Sequence, residues 1–186
     1  MFTKEYWRSS FAKLKDIRYL AIIGLMIALK IILDQIRIPV SDNLNIMFSY
    51  IAVALEAAIV GPGAAMVSAA VTDTLSTMLM SYGPYFPGYL LNRVLGSLIF
   101  GLMFYRSHIT IWKTALARAL INYGVNVCLG SLWNSILYGK AFIYYAGTSL
   151  VKNTILLPFE TVILFLLLKA LVPQLKQRGL LKDTTI

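Results

Sequence analysis

Six apolar runs, separated by short stretches rich in polar or helix-breaking residues, organise the chain. The first covers residues 18–36 and gives way to a polar stretch, 37–45, with Pro39 as a breaker. The second, 46–60, is short and stops at Gly61-Pro62-Gly63, a tight turn without charge. The third, 64–80, precedes 81–88, where two prolines and two glycines exclude a continuous helix. The fourth, 89–105, leads through a basic turn, 106–113, into a fifth that ends near Trp133. A loop over 134–148 then precedes the sixth, 150–171. Runs of this length and apolarity predict transmembrane helices. The expected fold is an all-α integral membrane protein, a bundle of six transmembrane helices in a single membrane domain over 1–186. Residues 1–17 read as an amphipathic amino-terminal segment, 18–171 as the bundle and 172–186 as a basic tail. The first apolar run lacks a small-residue cleavage site, so it is expected to be retained.

Composition strengthens this picture. Hydrophobic residues make up 59% of the 186 positions and charged ones 13%, about half the share usual in soluble domains. The net charge of +9 does not point to nucleic acid, because the basic residues flank apolar runs. Eleven lysines and arginines fall in the two tails and the 106–113 turn, against three (Arg37, Lys140 and Lys152) on the opposite side. That asymmetry predicts both termini in the cytoplasm of a multi-pass protein. The three long connections, after the first, third and fifth runs, then face outside. Irregular backbone at membrane depth is tolerated where it lines a cavity, so an outward-facing pocket is expected.

Enzymatic chemistry finds no support in the motifs. His108, the only histidine, lies in the basic turn, and Cys128, the only cysteine, lies in an apolar run. There is no phosphate-binding loop, metal-ligand spacing or catalytic constellation, so neither cofactor nor metal is expected, and energy for transport must come from a partner or an ion. Polar residues inside apolar runs are costly and tend to face the bundle interior. Lys30 and Asp34 stand four apart and are placed to pair on one helix face; Asp73 lies mid-run. Arg118, Asn122, Asn126 and Gly130 recur every four residues as a polar stripe, and Glu160 lies in the sixth run. Asn92, Arg93, Lys152 and Asn153 form an outer group that favours ligand binding over structural pairing. Aromatic residues gather around the same connections: Tyr82, Tyr85, Phe86 and Tyr89 at one, Trp133, Tyr138, Phe142, Tyr144 and Tyr145 at the other. They suit either an interfacial belt or a sandwich around a flat heterocycle, and Arg37, Lys140 and Lys152 nearby suit an anion. Gly24 with Ala28, and Ser97 with Gly101, have the small-residue spacing of close helix contacts.

Three blocks carry a family resemblance: Gly61-Pro62 with Asp73 and Gly83-Pro84-Tyr85-Phe86-Pro87-Gly88; Leu132-Trp133 with the string Ser135 to Phe142; and Lys152-Asn153 with Pro158. Over residues 18–170 the chain resembles the folate-specific substrate-binding (S) components of energy-coupling-factor (ECF) vitamin transporters. The resemblance implies high-affinity folate capture at the outer face of a bacterial cell membrane. It further implies a transmembrane coupling subunit and two cytoplasmic ATPases as partners, with the lipid bilayer as solvent and no nucleic acid. It implies substrate contacts from Asp73, Tyr85, Phe86, Asn92, Arg93, Trp133, Tyr138, Lys152 and Asn153, with the pterin ring among the four aromatic residues. It implies Gly24 and Ala28 as contacts to the coupling subunit. The chain departs from the family pattern at Gly130-Ser131 and Ser149, and at Glu56, where a small residue is expected. The alternatives are an S component for riboflavin, thiamine or pantothenate, and a solitary ion-coupled transporter.

Overall fold

A computed structural model describes residues 4–41, 44–79, 85–181 and 184–185, without the side chains of 37, 39–41 and 44. The elements follow the apolar runs. After an amphipathic helix α1 (Lys4–Ala12) come α2 (Ile17–Gln35), a β-hairpin of β1 (Arg37–Ser41) and β2 (Leu44–Met47), α3 (Tyr50–Val60), α4 (Pro62–Leu79) and α5 (Pro87–Phe104). Then a single helical rod runs from Ile111 to Tyr138, as α6 (Ile111–Ala119), a π-helical stretch (Leu120–Gly130) and α7 (Ser131–Tyr138). The long α8 (Phe142–Gln177) follows.

Exposure is inverted relative to a water-soluble protein. Trp112 and Ile143 are 82% and 80% exposed, whereas Lys30 and Glu56 are 1% and 0% exposed. Apolar side chains outside and charged ones inside are the pattern of a bundle solvated by lipid. By length and composition, Pro87–Phe104, Ile111–Tyr138 and Phe142–Gln177 are apolar enough to cross a membrane. Helix α2 carries Arg18, Lys30 and Asp34, and α4 is diluted by buried Ser68, Thr72, Asp73 and Ser76, so their mean hydropathy understates how apolar their outer faces are.

Two stretches differ from the sequence expectation. The polar segment at 37–45 is a hairpin, with Ile38 opposite Ile46 and Pro39 opposite Asn45, and α3 consequently begins at Tyr50. Ile38 and Ile46 are β-branched residues that fit a pleated strand. The loop expected over 134–148 shrinks to the short link Gly139–Ala141. Nothing between Asn134 and Tyr138 breaks a helix; Gly139, at φ 73°, supplies the left-handed stop.

The two ends of the bundle are built differently. At one end the tails meet the turns. The hydroxyl of Tyr6 donates to Gly101 O at 3.1 Å, and that of Ser10 donates to Val60 O at 2.9 Å and accepts from Ala64 N–H at 3.1 Å. Burial of Tyr6 and the neighbouring Tyr105 push its phenol up to about 12. Thr185 bonds Ser107 and Ile109 across the α5–α6 turn. Gly61, at φ 85°, makes the α3–α4 turn, and α5 passes so close that a Cβ on Gly101 would stand 2.5 Å from Pro62 Cα. Ala57, Val60, Ala64, Phe100 and Phe104 fill the space between. At the other end lie the hairpin, the lead into α5 and the Gly139 turn.

Candidate functional site

Below the hairpin the helices stand apart around a cavity of about 330 Å³. Its walls come from β2, α3, α4, α5, the Ile111–Tyr138 rod and α8, with Lys30 of α2. All four members of the outer polar group, Asn92, Arg93, Lys152 and Asn153, line it. Their positions are fixed by neighbours. The indole N–H of Trp133 donates to Asn92 Oδ1 at 3.1 Å. Asn153 Nδ2 donates to Ser149 O and Oγ at 2.8 and 3.0 Å. Tyr89 O–H donates to Asn134 Oδ1 at 2.5 Å.

Among the described residues, four ion pairs in three clusters surround the cavity. Arg93 bridges Asp34 of α2 and Asp73 of α4, at 2.8 and 2.9 Å. Asp73 thus holds Arg93 from behind and does not line the cavity. Lys30 reaches Glu56 at 2.7 Å and Ser68 at 2.9 Å, and Ser68 donates to Glu56 at 2.5 Å, so α2, α3 and α4 are tied by one dry cluster. The expected Lys30–Asp34 pairing within one helix does not form, because each residue pairs with a partner on another helix, Lys30 with Glu56 and Asp34 with Arg93. Arg118 pairs with Glu160, which also accepts from Asn122 at 2.9 Å, and the Arg118 guanidinium covers the Tyr50 ring at 4.2 Å. The stripe on the fifth run persists through the π-helical stretch, where Asn126 donates to Asn122 at 3.4 Å. Lys152 is different: its ammonium donates to Asn45 O at 3.1 Å and has no carboxylate partner among the described residues. The cavity therefore offers one positive charge not neutralised by an adjacent carboxylate.

Of the aromatic residues expected around the ligand, Tyr85, Phe86, Trp133 and Tyr138 sit at the rim and outside the cavity wall, whereas Tyr89 of the same cluster lines it. Phe86 packs on Trp133 with ring centroids 5.7 Å apart, and both crowd Gly88, where a Cβ would stand 2.6 Å from the indole. Tyr85 and Tyr138 are about half exposed. Tyr82 and residues 83–84 of the proline-glycine block lie outside the described residues, as does the side chain of Arg37. Lys140 lies over the Tyr144 ring at 4.7 Å, outside the cavity lining. Tyr50 and Asn134 line the cavity without having been expected there from the sequence. Their signal is weak because a tyrosine or asparagine near a helix end reads equally well as an interface residue.

Residues 18–168 match the family "ECF transporter, substrate-specific component". The chain belongs to this family. This S component is 30% identical over 152 residues to a protein of Clostridium novyi described as the folate transporter FolT, covering 82% of this chain and 88% of that one. It is 27% identical over 159 residues to a protein of Leuconostoc mesenteroides subsp. mesenteroides with the same description, covering 82% and 85%. A crystal structure of FolT bound with folic acid superposes with a TM-score of 0.76 at 28% identity, over 81% of this chain and 92% of that one.

Proposed function

We propose that this S component captures folate at the outer face of a bacterial cell membrane and carries it inward, with ATP hydrolysed on two partner subunits and not on this chain. The observation that carries the reading is the cavity beneath the hairpin, lined by the expected Asn92, Arg93, Lys152 and Asn153, in a chain similar over most of its length to folate transporters. Folate is an anion with a flat, hydrogen-bonding heterocycle. A buried site for it needs a cation not already neutralised by a protein carboxylate, and Lys152 supplies one; its ring edge needs paired donors and acceptors, which the polar walls supply. The rim aromatics Tyr85, Phe86, Trp133 and Tyr138 would close over the bound ligand.

In this reading the chain crosses the bilayer six times, through α2, α3, α4, α5, the Ile111–Tyr138 rod and α8. The short α3 and its hairpin together make one pass. The end that gathers the tails faces the cytoplasm, in keeping with the excess of lysine and arginine there. Gly24 and Ala28, exposed on α2 with open space beside Gly24, form a contact for the transmembrane coupling subunit.

Tryptophan fluorescence of the detergent-purified chain, titrated with folate, riboflavin, thiamine and pantothenate, tests this. Saturable quenching by folate alone, corrected for absorption, is expected, and Trp133→Phe should remove most of it, because Trp112 points outward and Trp7 lies on α1 at the end away from the hairpin. A response to another vitamin overturns the substrate. Folate uptake into vesicles that lack any ATPase overturns the energy source.

A further inference from the structure

A second, smaller cavity of about 140 Å³ lies at the end of the bundle away from the hairpin. Lys13, Tyr19, Tyr105, Arg106, Leu181 and Thr184 line it, together with the end of α3, so stretches of chain far apart in sequence build its walls. The Lys13 ammonium donates to Ile59 O at 2.5 Å and stands 4.8 and 4.6 Å from the ring centroids of Tyr19 and Tyr105. The Arg106 guanidinium lies 5.4 Å from the centroid of the same Tyr105 ring. Two cations are thus held against one aromatic ring, where they repel each other, and an anion between them would lower that energy. Arg106 is the one described residue other than glycine with a positive φ, 51°. Its N–H donates to Thr184 Oγ1 at 3.2 Å, and Thr184 is buried. Glycine would make such a turn at lower cost, so the backbone alone gives no reason for an arginine there.

Pairing within this end cannot cancel its charge. Residues 1–18, 106–113 and 169–186 hold eleven lysines and arginines against three carboxylates, Glu5, Asp16 and Asp183. Apolar side chains flank the cavity: Ile17 and Leu20, on either side of Tyr19 in sequence, and Phe11 of α1 are exposed. A soluble anion has no use for such a margin, whereas acyl chains do. We propose that this cavity binds the phosphate headgroup of an anionic phospholipid, with Lys13 and Arg106 as its cations and the acyl chains running along Phe11, Ile17 and Leu20. A basic pocket between helices at a membrane surface suits that chemistry. The bound headgroup ties the amino-terminal segment, the α5–α6 turn and the carboxyl-terminal segment to the bilayer at one point. The proposal needs this end of the bundle at a membrane surface and does not depend on which ligand enters the cavity beneath the hairpin.

Native mass spectrometry of the full-length chain, released from a neutral maltoside detergent, tests it with three probes: phosphatidylglycerol, phosphatidylcholine with the same acyl chains, and inorganic phosphate. Phosphatidylglycerol is expected to bind about ten- to thirtyfold more tightly than phosphatidylcholine, at about fivefold for each cation. Arg106→Gly, which the left-handed turn accepts, should lower phosphatidylglycerol affinity about fivefold and leave phosphatidylcholine binding and folate affinity unchanged. Lys4→Gln removes one charge at the same end but outside the cavity, and should have less than about half that effect. Equal affinity of the intact chain for the two lipids overturns the proposal without recourse to any variant. Equal losses in Arg106→Gly and Lys4→Gln overturn the site in favour of diffuse surface charge. Inorganic phosphate that displaces phosphatidylglycerol at equal concentration overturns the lipid assignment. If Arg106→Gly also loses folate affinity, the fold itself is disturbed; Arg106→Lys, which keeps the charge, then decides, and the proposal stands only if that variant retains the preference for phosphatidylglycerol.

Discussion

Helices α3, α4 and α5 each pass through two regions of opposite character. Toward the tails they are packed on alanine, valine and phenylalanine, with backbone approaching backbone at Gly101 and Pro62. Toward the hairpin the same helices turn Glu56, Asp73 and Arg93 inward, pairing with Lys30 and Asp34 of α2 and with one another around a cavity. In a bilayer the hydrophobic effect does not distinguish an apolar core from lipid, so van der Waals packing and interhelical polar contacts must hold the bundle. The first region is held by close packing and the second by ion pairs. Ion pairs can border a cavity without collapsing it, because their geometry is set by direction and charge and not by filled volume.

The largest effect expected from breaking this contrast is at the Lys30–Glu56–Ser68 cluster. Glu56→Ala leaves an ammonium in a dry site, at a cost of about 3–5 kcal/mol. Thermal unfolding in detergent should show it, and the Lys30→Met/Glu56→Leu double variant should recover most of the loss. A single variant as stable as the parent would show that the cluster contributes nothing. Next comes Lys152→Met, which removes the cavity's one cation without a carboxylate partner. Folate affinity should fall about ten- to a hundredfold. Stability should fall by no more than about 1.5 kcal/mol, the weight of the lost hydrogen bond to Asn45 O. Parallel losses in both readouts would make Lys152 a structural residue.

Much of the architecture was legible because membrane burial imposes long apolar runs. The ends of α2, α4 and α5 fall within two residues of where their apolar runs start and stop. The hairpin was not legible, because a proline inside a polar stretch reads as a break, and the pairing of Ile38 with Ile46 is a tertiary fact. The outer polar group was grouped from its location alone, and its four members line the cavity. The partners of Lys30 and Asp34 were missed because spacing within one helix reports only local neighbours, and Glu56 and Arg93 arrive from other helices. The rim aromatics were grouped correctly by connection, but nothing in a sequence says which side of a ring faces a cavity.

A paired glycine experiment tests the contrast on one helix. Gly96 and Gly101 stand five residues apart on α5. A Cβ at Gly96 meets nothing within 4 Å, although the residue lines the cavity, whereas one at Gly101 meets Pro62 backbone at 2.5 Å. Gly101→Ala should cost about 1–3 kcal/mol through overpacking. Gly96→Ala should raise stability by up to about 1 kcal/mol, since alanine favours helix. Unfolding midpoints of the two variants decide it, and equal shifts would erase the distinction between the regions.

The smallest effect is expected where the amphipathic helix is tied to the packed end. Tyr6→Phe removes the hydrogen bond to Gly101 O and should cost about 0.5–1.5 kcal/mol near neutral pH. Its pH dependence separates this contact from simple loss of area. Burial favours the neutral phenol and pushes it up to about 12 in the folded chain, above the ordinary tyrosine value of about 10. The stability that comes from keeping Tyr6 neutral is therefore complete below about pH 10. It is lost as pH rises from there through about 12, because the folded chain holds a proton that the unfolded chain has released. Lysines and other tyrosines titrate in the same range, so the informative quantity is the difference between parent and variant. The parent should lose stability more steeply with pH than Tyr6→Phe, and the gap between their unfolding midpoints should narrow above pH 10. A gap that stays constant to pH 12 would mean that the Tyr6 hydroxyl is solvated at the membrane surface and that α1 is held by its apolar face alone.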